Sequence, residues 1–340
     1  MQWNIGIDLG SRTARMTVRG RGSLLRQSSC VAFRGDTAYE FGDAALEIQG
    51  RELKGTRTVY PMDGGQIADE AALSAWLGRM LRESGFGGLA NRARVLLSCP
   101  ALLPFSQKQH LAALTMQAGA ANCALLRADT AAAIGAGVPV LSPKGHLVAD
   151  IGASHMSVTL FSLGRAMICE AVPWGLTQAD AEIRRMLLNE AGLRVGMKTA
   201  ENVRLALASA VGANEDLKEN IAGLSLSAGF PRVHSVSASD VHKAVMPLID
   251  QLIRTAESVL WQAPDEFAAD LSDTGVVLTG GGANLFGLEK QIAEHLNLPC
   301  RIAEDPGQAA LRGLNRALDG GESIEAMMEA QQSILERRRS

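Results

Sequence analysis

Two segments far apart in the chain echo each other. "NIGIDLGSRTARMTVRGRG" begins at Asn4 and "HLVADIGASHMSVTLFSLGRA" at His146. Each is an apolar run, then Asp-x-Gly, then a few small or polar residues, then a second run with alternation, which predicts a β-hairpin. Asp8 corresponds to Asp150, and Gly10 to Gly152. A repeat this distant is far too long for a solenoid, so it predicts two related halves. The length of 340 residues allows about two domains. With 47% hydrophobic and 20% charged residues, each half can bury a core.

The rest of each half fits strand–helix alternation. "ARVLLSC" (93–99) is a short buried strand by composition. "SQKQHLAALTMQAGA" (106–120) has helical spacing, with Ser106 as the expected N-cap. "LLRADTAAAIGAG" (125–137) leads into a helix of small residues, a signature of close packing. In the second half, 237–263 is helical by its spacing, and "TGVVLTGGGANLFGLEKQIAEHL" (274–296) reads strand, glycine loop, helix. "PCRIAED" (299–305) is another strand. The alternation predicts an α/β fold. Segments 35–75 and 176–236 are more polar and less periodic, and are expected to be insertions on that scaffold.

The hairpins and the Gly280-Gly281-Gly282 loop share one chemical capacity. Glycine lets backbone approach a phosphate, and turn and helix N–H groups point at its oxygens. A nearby carboxylate can hold Mg²⁺ through water. Taken singly, each loop is equally well a tight turn. Other chemistries are excluded or disfavoured. A net charge of −3 argues against a nucleic-acid partner. Five scattered cysteines (Cys30, Cys99, Cys123, Cys169, Cys300) form no CxxC and read as thiols in a reducing compartment. No HExxH spacing occurs, no apolar run reaches the ~18 residues of a spanning helix, and no signal peptide is expected, so a cytoplasmic protein is expected.

The ordered set of hairpin, small-residue helix, hairpin and triple glycine resembles the actin superfamily. Within it, "IGIDLGS", "QAGAANCALLRADTAAAIGAGVPV", "VADIGAS", "KTAENVRLALASA", "GVVLTGGGANLFGLEKQI" and "PCRIAEDPGQAALRGLNRAL" are similar to the MreB-type bacterial actins of cell shape. These stretches run in order from residue 4 to about 318. The resemblance implies an actin-like ATPase fold: two RNase H-like lobes around an interlobe nucleotide cleft. The first lobe would be 1–143 plus 308–340 with an insertion at about 32–80. The second would be 144–307 with an insertion at about 176–236.

Carried over by position, the resemblance implies ATP and Mg²⁺ in that cleft. Asp8, Gly10, Ser11, Arg12 and Thr13 fall on the first phosphate hairpin, and Asp150, Gly152, Ala153, Ser154 and His155 on the second. Asp8 and Asp150 would hold Mg²⁺ through water. Glu201 and Arg204, three residues apart and so on one helix face, match the pair that holds ribose and adenine. Gly281, Gly282, Ala283, Asn284 and Leu285 match the adenosine loop.

Three departures bear on hydrolysis. The family's second hairpin usually reads Asp-Ile-Gly-Gly-Gly-Thr, whereas this one reads Asp150-Ile151-Gly152-Ala153-Ser154-His155. The first has Ser11-Arg12-Thr13 in place of Thr-Ala-Asn, so Arg12 either binds phosphate or lies on the surface. The family's water-positioning Glu, which precedes a Pro, is here Ala128, and Asp129 replaces the Pro. Asp129 either takes over the catalytic role by a local shift or caps the following helix.

The resemblance further implies filaments on the inner face of the cell membrane, with cell-elongation proteins as partners. Phe86 and Leu89, in a glycine-rich stretch with arginines around it, are the expected lipid-facing pair, and the amphipathic tail 323–340 with its three arginines is a second membrane or partner element. The expected function is an ATP-binding, membrane-associated filament that directs cell-wall synthesis. The alternatives are a non-hydrolysing scaffold of the same fold and a small-molecule kinase, which would need a carboxylate base in the cleft.

Overall fold

The computed structural model describes residues 3–86, 93–212 and 216–320. Two five-stranded sheets dominate it, and each is built around one of the two echoing hairpins. In the first, Ile5–Leu9 pairs antiparallel with Thr13–Val18 and parallel with Arg94–Cys99. Gly22–Ser28 and Asn122–Arg127 complete its two edges. In the second, His146–Ile151 pairs antiparallel with Met156–Ser162 and parallel with Val276–Thr279. Arg165–Val172 and Cys300–Ile302 are its edges. Read from the parallel edge inward, the strand order is the same in both. The sequence echo is therefore a topological repeat, and the α/β class is as expected.

The central strands are buried on both faces, and alternate residues serve each face. Ile5, Ile7, Val95 and Leu97 pack with Leu73, Trp76, Leu77 and Met80 of the Glu70–Leu81 helix. Leu147, Val158, Leu160 and Leu278 pack with Val241, Val245 and Leu252 of the long Ala238–Gln262 helix. Ser237 caps that helix, accepting a hydrogen bond from the Asp240 N–H. The Phe105–Gln117 helix differs from expectation: Pro104, not Ser106, is its N-cap, because the fixed proline φ suits a helix start and Ser106 already lies inside. Segment 35–75 contributes two strands, Thr37–Phe41 and Thr56–Val59, which flank Val31–Arg34 in a three-stranded sheet. Segment 176–236 contributes another, of Leu193–Arg194, Lys218–Ser225 and Pro231–Ser237.

The small-residue helix Ala128–Gly135 lies between the two sheets with Ala309–Asp319. Ala131 packs with Leu96, Leu126 and Leu314 toward the first sheet, while Ala133 and Ile134 pack with Val148, Phe161 and Val277 toward the second. The two helices cross at backbone contact. A Cβ on Gly135 would stand 1.8 Å from the Ala309 carbonyl oxygen, and one on Gly313 would stand 1.8 Å from that of Ala131. Gly135→Ala is therefore expected to cost about 2 kcal/mol or more in urea unfolding, since backbone must move to admit a methyl. The control Gly196→Ala, where a Cβ meets nothing within 4 Å, should stay within about 0.5 kcal/mol.

Candidate functional site

The turns of the two hairpins face a common cleft of about 510 Å³. In the first turn the Gly10 N–H donates to the Thr13 carbonyl at 3.0 Å, and in the second the Gly152 N–H donates to that of His155 at 2.9 Å. Asp8 and Gly10 to Thr13 line one side, while Asp150, Gly152, Ala153 and His155 line the other. Glu201 and Arg204 of the Met197–Leu207 helix line it as well, as do Gly280, Gly281, Pro306 and Gly307. Gly280 has φ +79°, and a Cβ there would stand 2.8 Å from Asp150 Oδ1, so the loop's closest approach to the hairpin requires glycine.

Other expected site residues stand behind this lining. Gly282 and Ala283 are buried in the short 3₁₀ turn Gly281–Asn284, with Gly282 against Ile151. Asn284 and Leu285 lie further along the same segment, and neither lines the cleft. Ser154 does not line the cleft; its Oγ accepts the N–H of Gly64, in the turn between Met62–Asp63 and Gln66–Ile67, at 2.8 Å. The Glu201–Arg204 pair is divided by partners: Arg204 is buried on Asp180 at 2.6 Å, and Glu201 takes Lys198 at 3.0 Å. Arg12 lies over the Tyr60 ring, 4.1 Å from its centroid, and 3.8 Å from Asp63. Phe86 ends the turn Arg82–Phe86; Leu89 and the tail 323–340 lie outside the described residues.

The carboxylates differ sharply. Asp8 Oδ2 takes Arg15 Nη1 at 3.0 Å, and Oδ1 takes the Ser98 hydroxyl at 2.6 Å. Asp150 accepts from Thr279 Oγ1 at 3.1 Å, yet burial, reinforced by the charges of Asp129 and Asp8, pushes its carboxyl up to about 7. Burial lowers the pKa of His155, which favours the neutral imidazole, and its Nδ1 has no protein partner. These donors suit Mg²⁺ poorly. Each Asp8 oxygen already accepts one donor, and one of the two donors is a cation. Asp150 ionises reluctantly, and the other carboxylates lining the cleft are engaged: Asp43 by the Ser28 N–H, Asp180 by Arg204 and Glu201 by Lys198. Among the described residues no group of three metal-ligating side chains forms.

Ala128 lines the cleft at the helix start, its methyl in the place of the expected acid. Asp129 does not line it. The N-cap is Arg127, so Asp129 is already the second helical residue and not the cap. Its carboxylate, 1% exposed, receives Arg127 Nε at 3.0 Å and Nη2, the Thr159 hydroxyl at 2.6 Å, and the Thr130 N–H at 2.7 Å. Burial would raise its pKa; Arg127 and these donors outweigh burial and hold it below the usual carboxylate range.

A family model described as MreB/Mbl protein matches residues 2–326. The chain belongs to the MreB/Mbl family. Cell shape-determining protein Mbl of Bacillus subtilis (strain 168) is 28% identical over 323 residues, covering 94% of this chain and 97% of the relative. Cell shape-determining protein MreB of Escherichia coli (strain K12) is 29% identical over 323 residues, covering 93% of each. Among solved structures, MreB 5 of Spiroplasma citri bound to AMPPNP superposes with a TM-score of 0.89 at 25% identity, over 96% of this chain and 98% of that one. The MamK double helical filament shares the fold at a TM-score of 0.78 and 18% identity, over 93% of this chain and 98% of that one. The fold of this MreB/Mbl member is thus actin-like. Arg15, Asp180, Lys198 and Tyr60 also line its cleft without having been singled out in the sequence. For Arg15 a signal existed: the tight turn sets the register Asp8 opposite Arg15.

Proposed function

We propose that this MreB/Mbl member is a filament-forming actin homologue that holds ATP in the cleft and turns it over negligibly. It would assemble in the cytoplasm on the inner face of the cell membrane and guide cell-wall synthesis with elongation proteins. The observation that carries the reading is the cleft itself: two glycine hairpins from duplicated sheets, facing each other, with Ala128 where the acid is expected. In this reading Asp8, Gly10 to Thr13, Asp150 and Gly152 to His155 hold the phosphates, directly or by shaping the turns. Glu201 and Gly281 form the nucleoside side, with Arg204 held on Asp180 beside them and Gly282 to Leu285 shaping the loop behind. The lobes are 1–143 plus 308–340 and 144–307.

The relatives' designation as cell shape-determining proteins supports the cellular role. The nucleotides bound to MreB5 of Spiroplasma citri, ADP and AMPPNP, support the ligand. Exposed Leu226, Phe230 and Val233 at one hairpin are surface of the kind that self-association buries. The membrane role of Phe86, Leu89 and the tail rests on the family resemblance. No helix among the described residues is long and apolar enough to cross a membrane, so contact would be peripheral. Sedimentation of the full chain with anionic liposomes, with and without ATP, tests the reading. We expect ATP-dependent pelleting that liposomes increase. A chain that stays in the supernatant with ATP and liposomes overturns it.

A further inference from the structure

We propose that Arg15, assisted by Arg12, supplies at the nucleotide phosphates the positive charge that a divalent cation would otherwise supply, so that the cleft takes a nucleoside di- or triphosphate as the metal-free polyanion. The inference rests on the nucleotide reading above and sharpens its ligand.

Three geometric observations converge. First, the hairpin register places Asp8 opposite Arg15, so both side chains leave the same face of the sheet. The resulting 3.0 Å ion pair fills one Asp8 oxygen, and the Ser98 hydroxyl fills the other. A hydrated divalent ion would share these oxygens with both donors, and it would sit beside a guanidinium. Second, Arg15 lines the cleft and its donors are not all used. Its buried Nε–H has no acceptor in the protein, which is costly unless a ligand or a small shift supplies one. Phosphate oxygens fit the guanidinium fork in shape and charge. Third, Arg12 lines the same wall, braced by the Tyr60 ring. Arg15 is paired with Asp8 at 3.0 Å and Arg12 more loosely with Asp63 at 3.8 Å, so a polyphosphate can draw on the remaining donors of both guanidinium groups.

The test is equilibrium dialysis of the full-length protein against radiolabelled ATP, in excess EDTA or in excess Mg²⁺. We expect ATP to bind at least as tightly in EDTA as in Mg²⁺. Arg15→Leu should weaken binding in EDTA about tenfold or more, the scale of one lost charge-assisted contact, and make binding depend on Mg²⁺. Arg15→Lys should keep most of the EDTA binding. If Arg15→Leu fails to fold, the wild-type comparison still decides. ATP that binds in Mg²⁺ and is lost in EDTA overturns this inference and leaves the nucleotide reading standing. No binding in either buffer overturns both.

Discussion

Phosphate release from ATP should sit at background for the wild-type protein and rise about a hundredfold in Ala128→Glu, the lower range for a positioned general acid–base group. The site has room for the new side chain: Ala128 is partly exposed and lines the cleft at the first turn of its helix. A carboxylate there would reach into the gap between the two hairpins, where an attacking water must stand. The neighbouring arginines already meet one other need of phosphoryl transfer, stabilising the charge on the transferred group. What the cleft lacks is a carboxylate at the start of this helix; Asp150, the carboxyl raised to about 7, stands on the hairpin and accepts from Thr279. His155 lines the cleft with a lowered pKa but sits buried against Gly152 and Gly65, and Asp129 is turned into the interior. The measurement is single-turnover phosphate release above the polymerisation threshold, with Ala128→Gln as the uncharged control. Wild-type release well above background, unaltered in Ala128→Gln, would sink the negligible-turnover reading. Ala128→Glu at background would show that more than the acid is missing.

The duplicated hairpins were legible because their signals are local. Asp-x-Gly with flanking alternation needs no knowledge of what packs on it, and the pairing that follows, Leu9 with Ala14 and Ile151 with Met156, is set by the turns. The Glu70–Leu81 helix was equally open to reading, with Leu73, Trp76, Leu77 and Met80 at helical spacing, but its first half lay in the polar stretch 35–75 expected to be an insertion. Side chains joined to distant residues were less legible. Nothing in "LLRADT" shows that Thr159 and Cys169 of the other sheet wait on Asp129. Nor does the Glu201–Arg204 spacing reveal Asp180, which takes the arginine inward. Gly282 reads as a phosphate or adenosine contact by position, whereas its space is filled by Ile151. Local chemistry marks where a ligand can approach; tertiary partners decide which polar groups remain for it.

Asp129 separates these two kinds of role experimentally. As a buried structural anion, its loss should cost stability: Asp129→Ala leaves Arg127 with an unbalanced, largely buried charge and the Thr159 hydroxyl without its acceptor, a change expected to cost about 3–5 kcal/mol. The damage falls on the helix that packs against both sheets, so the urea transition should move as a whole. Asp129→Asn keeps shape and one acceptor but removes the charge, and should lose somewhat less. The pH dependence has a fixed sign. The folded-state pKa lies below the unfolded one, so this contribution is fully present above the unfolded value of about 4 and is lost as pH falls through the depressed folded value. The stability gap between wild type and Asp129→Asn should therefore be constant near neutrality and narrow in acid. Were Asp129 instead the water-orienting acid, Asp129→Asn would unfold at nearly the wild-type urea concentration and differ only in phosphate release. A variant of unchanged stability with lost release would reverse the assignment made from its four hydrogen-bonding partners.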